Sequence, residues 1–437
     1  MCHRLGLVAI VFLGAAARLP AADWPQWRGP ARDGRGNETG LLSEWPDGGP
    51  RLAWVTDAVG VGYSGLAVVG DRVYTLGGID GREHVLALDA GTGKVAWSAP
   101  IGPLFKHAYG DGPRSTPTVD GDDVFALGAQ GILARLDRAT GTVKWSVDFR
   151  KELGGLLMRG NFVNADWGYS ESPLVDGARV VACPGGKGGV VAAFDRATGK
   201  VAWRTAGVPH GATYASVVAA RFGGVRQYVA YTGGVEISTG GVMKDPPRLI
   251  GVAADTGAVL WEVRPNYTTS VIAPTPVVSG DLVFAGSGYG AGSALYRVTA
   301  AEGKFTAERV YATKDFKNYY AGAVLDDGTL YGYSEMVGWV GVDLKTGKSL
   351  WDYKTGATAG ALVAADGRLY ALGDDGRAFL LRPSRTDWDE VGRFDLPAKS
   401  KARAANRQIV VCTPPVVANG RLYLRDQERL YCYDVKK

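Results

Sequence analysis

The 437 residues include only four Cys, four Met and four His. No C-x-x-C and no adjacent cysteine pair occurs, so neither a disulfide framework nor a dithiol redox motif is indicated. The scarce histidines form no H-E-x-x-H, and no G-x-S-x-G exists, which leaves no zinc-hydrolase motif and no nucleophile elbow. There is no run of five like charges and no stretch of about 18 uninterrupted apolar residues, so a transmembrane helix is not expected. Formal net charge is +5 and falls by two, to +3, without Arg4 and Arg18 of the N-terminal segment, too little to imply nucleic acid. The densest basic stretch, Lys399 to Arg407, reads as a solvated loop. What the chain has in quantity is Gly (63), Tyr (20) and Trp (12), a composition of strands and tight turns.

Residues 1–22 read as a secretory signal: Arg4 supplies charge, Leu5 to Ala17 is apolar, and small residues follow at Ala15 to Ala17 and at Ala21 and Ala22. Cleavage after Ala22 would leave Asp23 first, while the Ala15 to Ala17 triplet offers a competing site. The reading is export to the periplasm or beyond. Cys2 precedes the apolar run, so it is not placed for lipidation and no lipid anchor is expected. Cys183, Cys412 and Cys432 then remain, an odd number. Cys412 and Cys432, on the first and third strands of one sheet, would stand about 10 Å apart, beyond disulfide reach. Buried free thiols are the expectation.

A repeat decides the fold class. Three copies are nearly complete, Ser64 to Trp97, Ser115 to Trp145 and Glu171 to Trp203. In each, Asp precedes Trp by eight residues (Asp89 and Trp97, Asp137 and Trp145, Asp195 and Trp203), and Asp343 with Trp351 repeats the spacing. Weaker copies run Tyr214 to Trp261, Pro274 to Tyr311, Tyr320 to Trp351 and Ala359 to Phe394. The last begins at Thr413 and stops after Asp434, lacking its final Trp strand. Arg51 to Val55 supplies one at the other end of the chain. Four strands per copy and eight copies predict an all-β, eight-bladed propeller over 51–437 whose N-terminal strand completes the last blade. Two sandwiches would leave the regular period and the split repeat as coincidences. Thr-Gly is expected at the hairpin between third and fourth strands, where Gly takes positive φ and Asp caps the turn. Residues 23–50 form an N-terminal strap, with Trp24 to Arg28 packed on the propeller or presenting an aromatic edge. Insertions interrupt the period at Ser146 to Tyr169 and at Thr232 to Pro247.

The signature Asp-x-x-Thr-Gly-x-x-x-Trp, seen as DAGTGKVAW, DRATGTVKW, DRATGKVAW and DLKTGKSLW, resembles the repeat of the pyrroloquinoline-quinone (PQQ) family of propellers over residues 51–437. Three further stretches, DWPQWRGPARDGRG at Asp23, WGYSESPLVDG at Trp167 and GGVRQYV at Gly223, are similar to a secreted, planctomycete-like subgroup of PQQ-binding-like propellers. The resemblance implies either PQQ- and calcium-dependent oxidation of an alcohol or sugar, or the non-catalytic role of the barrel-assembly lipoprotein B; fold alone does not choose. Quinone enzymes of this kind clamp PQQ between Trp and adjacent cysteines, which this chain lacks, and it has no C-x-x-C-H for haem.

The first strand of each propeller blade lines the central channel, which puts Tyr63, Arg114, Ser170 with Glu171, Tyr214, Ala273, Tyr320, Ala359 and Cys412 around one mouth. Tyr63, Arg114, Glu171, Tyr214 and Tyr320, with Trp167 from the first insertion, are the candidate ligand-binding residues. Arg offers paired donors to a carboxylate and Tyr rings stack. The plainer alternative pairs Arg114 with Glu171 across a wet channel. Asn161, Asn164, Asp166, Trp167 and Tyr169 come from a loop that would cover the mouth. Asn164 and Asp166 are its oxygen donors for a hard cation, although such residues more often cap turns, and no metal site is assigned. Gly185 to Gly189 lacks the Ser or Thr and the helix of a phosphate loop and reads as a hairpin turn.

No residue is assigned as catalytic, and no cofactor is assigned beyond PQQ with calcium in the dehydrogenase alternative. The sequence reading is an exported, monomeric binding or scaffold propeller for an unidentified envelope protein or small molecule. The alternatives are the dehydrogenase and an outer-membrane assembly partner.

Overall fold

The computed structural model describes residues 22–158, 166–234, 245–265, 271–318, 320, 322–354 and 358–437. The expected N-terminal signal and the candidates Asn161 and Asn164 lie outside the described residues. The repeats form eight four-stranded antiparallel sheets arranged as the blades of a propeller. Blade 1 consists of Ala67–Val69, Arg72–Ile79, Arg82–Asp89 and Val95–Pro103, and each later copy repeats this inner-to-outer order. Arg51–Thr56 pairs antiparallel with Arg429–Asp434, so the N-terminal strand is the outer strand of blade 8.

The Asp-to-Trp signature explains how blades dock. Asp89 accepts from the backbone N–H of Thr92 at 2.9 Å and its hydroxyl at 2.8 Å, and Asp137, Asp195 and Asp343 hold Thr140, Thr198 and Thr346 in the same way. The following glycine adopts positive φ, 74° at Gly141 and 73° at Gly199. It has a second duty, since a Cβ there would meet the indole of the preceding blade. That indole donates its N–H to a carbonyl of the same turn: Trp54 to Ala90 (2.9 Å), Trp97 to Arg138 (3.1 Å), Trp145 to Arg196 (2.9 Å) and Trp203 to Ala254 (3.2 Å). Blade 7, whose copy has lost Asp and Trp, presents Phe394, packed instead on Trp45 and Tyr433 with ring centroids 5.2 and 4.8 Å away. Alternating strand residues fill the space between sheets with Val, Leu, Ala and Phe, giving a core divided among the blade junctions.

Arg425 closes the ring. Fully buried in blade 8, it donates to the carbonyls of Ser64 (3.0 Å), Leu76 (2.8 Å) and Gly60 (3.0 Å), to the Thr75 hydroxyl (2.6 Å) and to Gln427 in its own blade (2.8 Å).

The segment preceding the first strand does not lie on the outer surface. Trp24 exchanges both backbone hydrogen bonds with Val68 of blade 1 at 2.8 Å, and Pro25 accepts from Val119 of blade 2 at 2.8 Å. Trp27 donates to Thr275 beside blade 5 at 2.9 Å. Arg28 reaches the carbonyl of Ala323 beside blade 6, and Arg32 those of Ser172 (2.8 Å) and Pro173 (3.1 Å) beside blade 3. Gly34 and Gly36 then bond Ala364 of blade 7. The strap thus crosses the bore at the level of the inner strands and plugs it. Of the two readings for Trp24 to Arg28, packing holds for Trp24, which is 2% exposed. Both arginines are buried with carbonyls as partners, and burial pulls each pKa down to about 10.

Candidate functional site

Seven residues stand four positions before an inner strand: Tyr63, Arg114, Ser170, Tyr214, Ala273, Tyr320 and Cys412, ahead of strands beginning at Ala67, Thr118, Leu174, Val218, Val277, Val324 and Val416. All seven line one cavity of about 910 Å³. Trp27 of the plug contributes to the lining, so the cavity is blind on that side. Trp167 lines it as well, whereas Ala359 is not part of its wall.

Glu171, expected at this mouth, does not line the cavity. Extended backbone turns successive side chains to opposite sides, so with Ser170 facing the cavity its neighbour faces away. Glu171 is fully buried, accepts from the backbone N–H of Cys183 and keeps its second oxygen without a partner among the described residues. Burial pushes its pKa up to about 7. The Arg114–Glu171 pair across the channel does not form. Asp166 is likewise occupied outside the cavity wall, accepting from Arg150 at 2.8 Å and from the backbone of Gly168 at 2.8 Å. Among the described residues no group of three or more His, Cys, Asp or Glu is placed to hold a metal ion.

Cys412 and Cys432 are free thiols, as is Cys183. Cys412 precedes the first strand of blade 8 and is only partly covered, where full burial was expected.

Sequence reasoning missed the loop between blades 1 and 2. Phe105, His107 and Tyr109 project from it in a row, with ring centroids 6.0 and 5.7 Å apart. Trp167 meets His107 at 4.4 Å and Tyr109 at 5.2 Å. Asn406, after the short helix Lys401–Ala405, donates to the Ala108 carbonyl at 3.0 Å and ties this loop to blade 8's approach. The only signal in the sequence is excess length between Trp97 and Ser115.

Arg114 sits beneath that loop, with its guanidinium 4.9 Å from the Phe105 ring centroid and 5.4 Å from that of Tyr63. It donates to the carbonyls of Gly112 (2.6 Å) and Gly110 (2.9 Å) and has no ion-pair partner among the described residues. Burial pulls its pKa below the usual guanidinium range, while Tyr63 and Glu83 act to raise it. Glu83 is itself buried, accepts from the backbone N–H groups of Ala129 (2.8 Å) and Phe105 (3.3 Å), and is pushed up to about 7 by desolvation. The described wall contains eight aromatic or imidazole rings, Arg114, Asn318, Gln408, Ser170 and Cys412, and no carboxylate.

A family model described as outer membrane protein assembly factor BamB (PQQ_2) matches residues 45–166 and 157–353. No curated protein sequence matches. Among solved structures, BamB from Moraxella catarrhalis is similar at 15% identity and TM-score 0.54, over 82% of this chain and 95% of that one. Quinohemoprotein alcohol dehydrogenase from Comamonas testosteroni is similar at 12% identity and TM-score 0.63, over 95% and 81%. A europium-containing methanol dehydrogenase gives 14% identity and TM-score 0.65, over 92% and 89%. At these identities the likeness is one of fold.

Proposed function

Because the chain belongs to the PQQ_2 family of propellers, described as outer membrane protein assembly factor BamB, we propose that it is a binding module rather than a catalyst, with the blind cavity at the channel mouth as its working site. The observation that carries this reading is the wall itself: aromatic on most sides, with one guanidinium and no carboxylate among the described residues. Such a wall offers stacking surface, hydrogen-bond donors and one imidazole, His107, but no carboxylate base and no anionic ligand for a hard cation among the described residues.

PQQ held through calcium, which the fold family implies, does not fit these residues. The quinone is a tricarboxylic acid and would meet a single cation, and calcium would find no Asp or Glu on the described wall. The adjacent cysteines are missing as well. Family membership supports a second reading, in which the propeller docks onto an outer-membrane assembly complex as an exported envelope protein.

Titration of the purified protein with PQQ and calcium, following tryptophan quenching and dye-linked oxidation of an alcohol and sugar panel, tests the main reading. No turnover is expected. Saturable quenching with stoichiometric turnover would overturn it. Recovery of barrel-assembly components from solubilised envelopes would favour the second reading.

A further inference from the structure

The buried side-chain polar atoms left without partners on the described cavity wall are both donors. Trp167 Nε1 and Asn318 Nδ2 are both buried, both donors, and neither has an acceptor among the described residues. Asn318 is 2% exposed. Arg114 adds its remaining N–H groups, since only two of five are taken by the Gly110 and Gly112 carbonyls. An indole N–H and a guanidinium can only donate, so the complement of this wall is a group that only accepts. The nearby carboxyls do not compete for that place: Glu83 is held by two backbone N–H groups, Asp166 by Arg150, and Asp374 is half-buried, hydrogen-bonded to Thr358 and raised to about 6 by desolvation. Arg114 lies between two rings with no ion-pair partner and no carboxylate on the described wall; Glu83 acts on it only from a distance, so an anion in the cavity would compensate its charge directly.

Building on the binding-module reading, we propose that the cavity is a receptor site for a small organic monoanion, an aromatic carboxylate held without a metal. Its carboxylate would take Arg114, and its ring would stack among Tyr63, Trp167 and Tyr214, leaving the Asn318 donor, which leads into blade 6 opposite Arg114, for a polar group at the ligand's far end. One guanidinium matches one negative charge; a second carboxylate would be desolvated with nothing opposite it. A volume of about 910 Å³ admits a ligand well beyond a single ring.

The test compares naphthalene-2-carboxylate and indole-3-acetate with their primary carboxamides, by calorimetry and thermal shift on the full-length chain. The acids should bind about 10- to 100-fold more tightly than the amides, the range of a charge-assisted hydrogen bond. Arg114→Gln should abolish that difference and Arg114→Lys should restore part of it. The acid-to-amide comparison uses the unaltered chain, so it stands even if Arg114→Gln folds poorly. Acids and amides binding equally would sink the anion class and leave the binding module standing. Turnover with PQQ and calcium would sink both. No binding of either series at millimolar concentration would also end the small-anion proposal, leaving a protein partner for the module.

Discussion

Trp97 stands so close to Gly141 of the next blade that a Cβ at that position would lie 2.6 Å from its ring. The same glycine has φ 74°, so one residue satisfies a turn and a docking surface together. Gly141→Ala should therefore destabilise the fold by about 2–4 kcal/mol, combining a left-handed backbone with overpacking. Gly70, with φ 59° and open space around it, is the control, where Ala should cost about 1 kcal/mol. Urea denaturation of both variants reads the difference, and equal losses would show that docking against Trp97 contributes nothing.

Glu83 and Glu171 are each raised by burial from 4.5 to about 7. The native state then binds more protons than the unfolded chain between about pH 4.5 and 7, so the neutral carboxyls stabilise below that window and the stabilisation is lost as pH rises through it. Glu171→Gln should match the unaltered protein at pH 4.5 and exceed it at pH 8 by about 3 kcal/mol. Denaturation midpoints at the two pH values decide; a variant weaker than the unaltered protein at pH 8 refutes the assignment.

Arg425 supplies donors to four backbone carbonyls and one hydroxyl. Replacing it by Met leaves those acceptors buried and unmet at about 1–3 kcal/mol each, offset in part by relief of a desolvated charge. A net loss of at least about 3 kcal/mol is expected in chemical denaturation. An unchanged midpoint would mean the blade 8 junction does not depend on it.

Desolvation raises all three cysteine thiols, Cys412, although only partly covered, to about 12 and Cys432 to about 11. In a chain beginning at Asp23, a thiol-disulfide reagent at pH 8 should find no rapidly reacting group until denaturant is added, and then three. Fast labelling of Cys412 in the native protein would contradict its desolvation.

Much of the architecture was legible because it is written locally. Asp, Thr-Gly and Trp are fixed within eight residues, and each contact they make is with the same turn or the adjacent blade. The cavity ring was legible for the same reason, since Tyr63, Arg114, Tyr214 and Tyr320 hold one position relative to successive strands.

What escaped was decided at long range or by one residue of alternation. Glu171 is next to a wall residue and points the other way. Arg28 and Arg32 look like surface charges in sequence, yet the carbonyls that accept from them lie 295 and 140 residues away. His107 and Tyr109 lie in a loop outside the repeat, where periodicity carries no information.

The strand that completes blade 8 has a kinetic consequence. Arg51–Thr56 pairs only with Arg429–Asp434, the last strand described, so the first strand formed has no sheet to join until the final one exists. The plug is bound by the same delay, because its partners are spread from blade 1 to blade 7. Folding must therefore hold its earliest segment in reserve and pass through sequence separations nearly as long as the chain, which slows the search. The reward comes afterwards: an open stack of repeats frays from its ends, whereas a closed ring offers no terminal blade at which unravelling can begin.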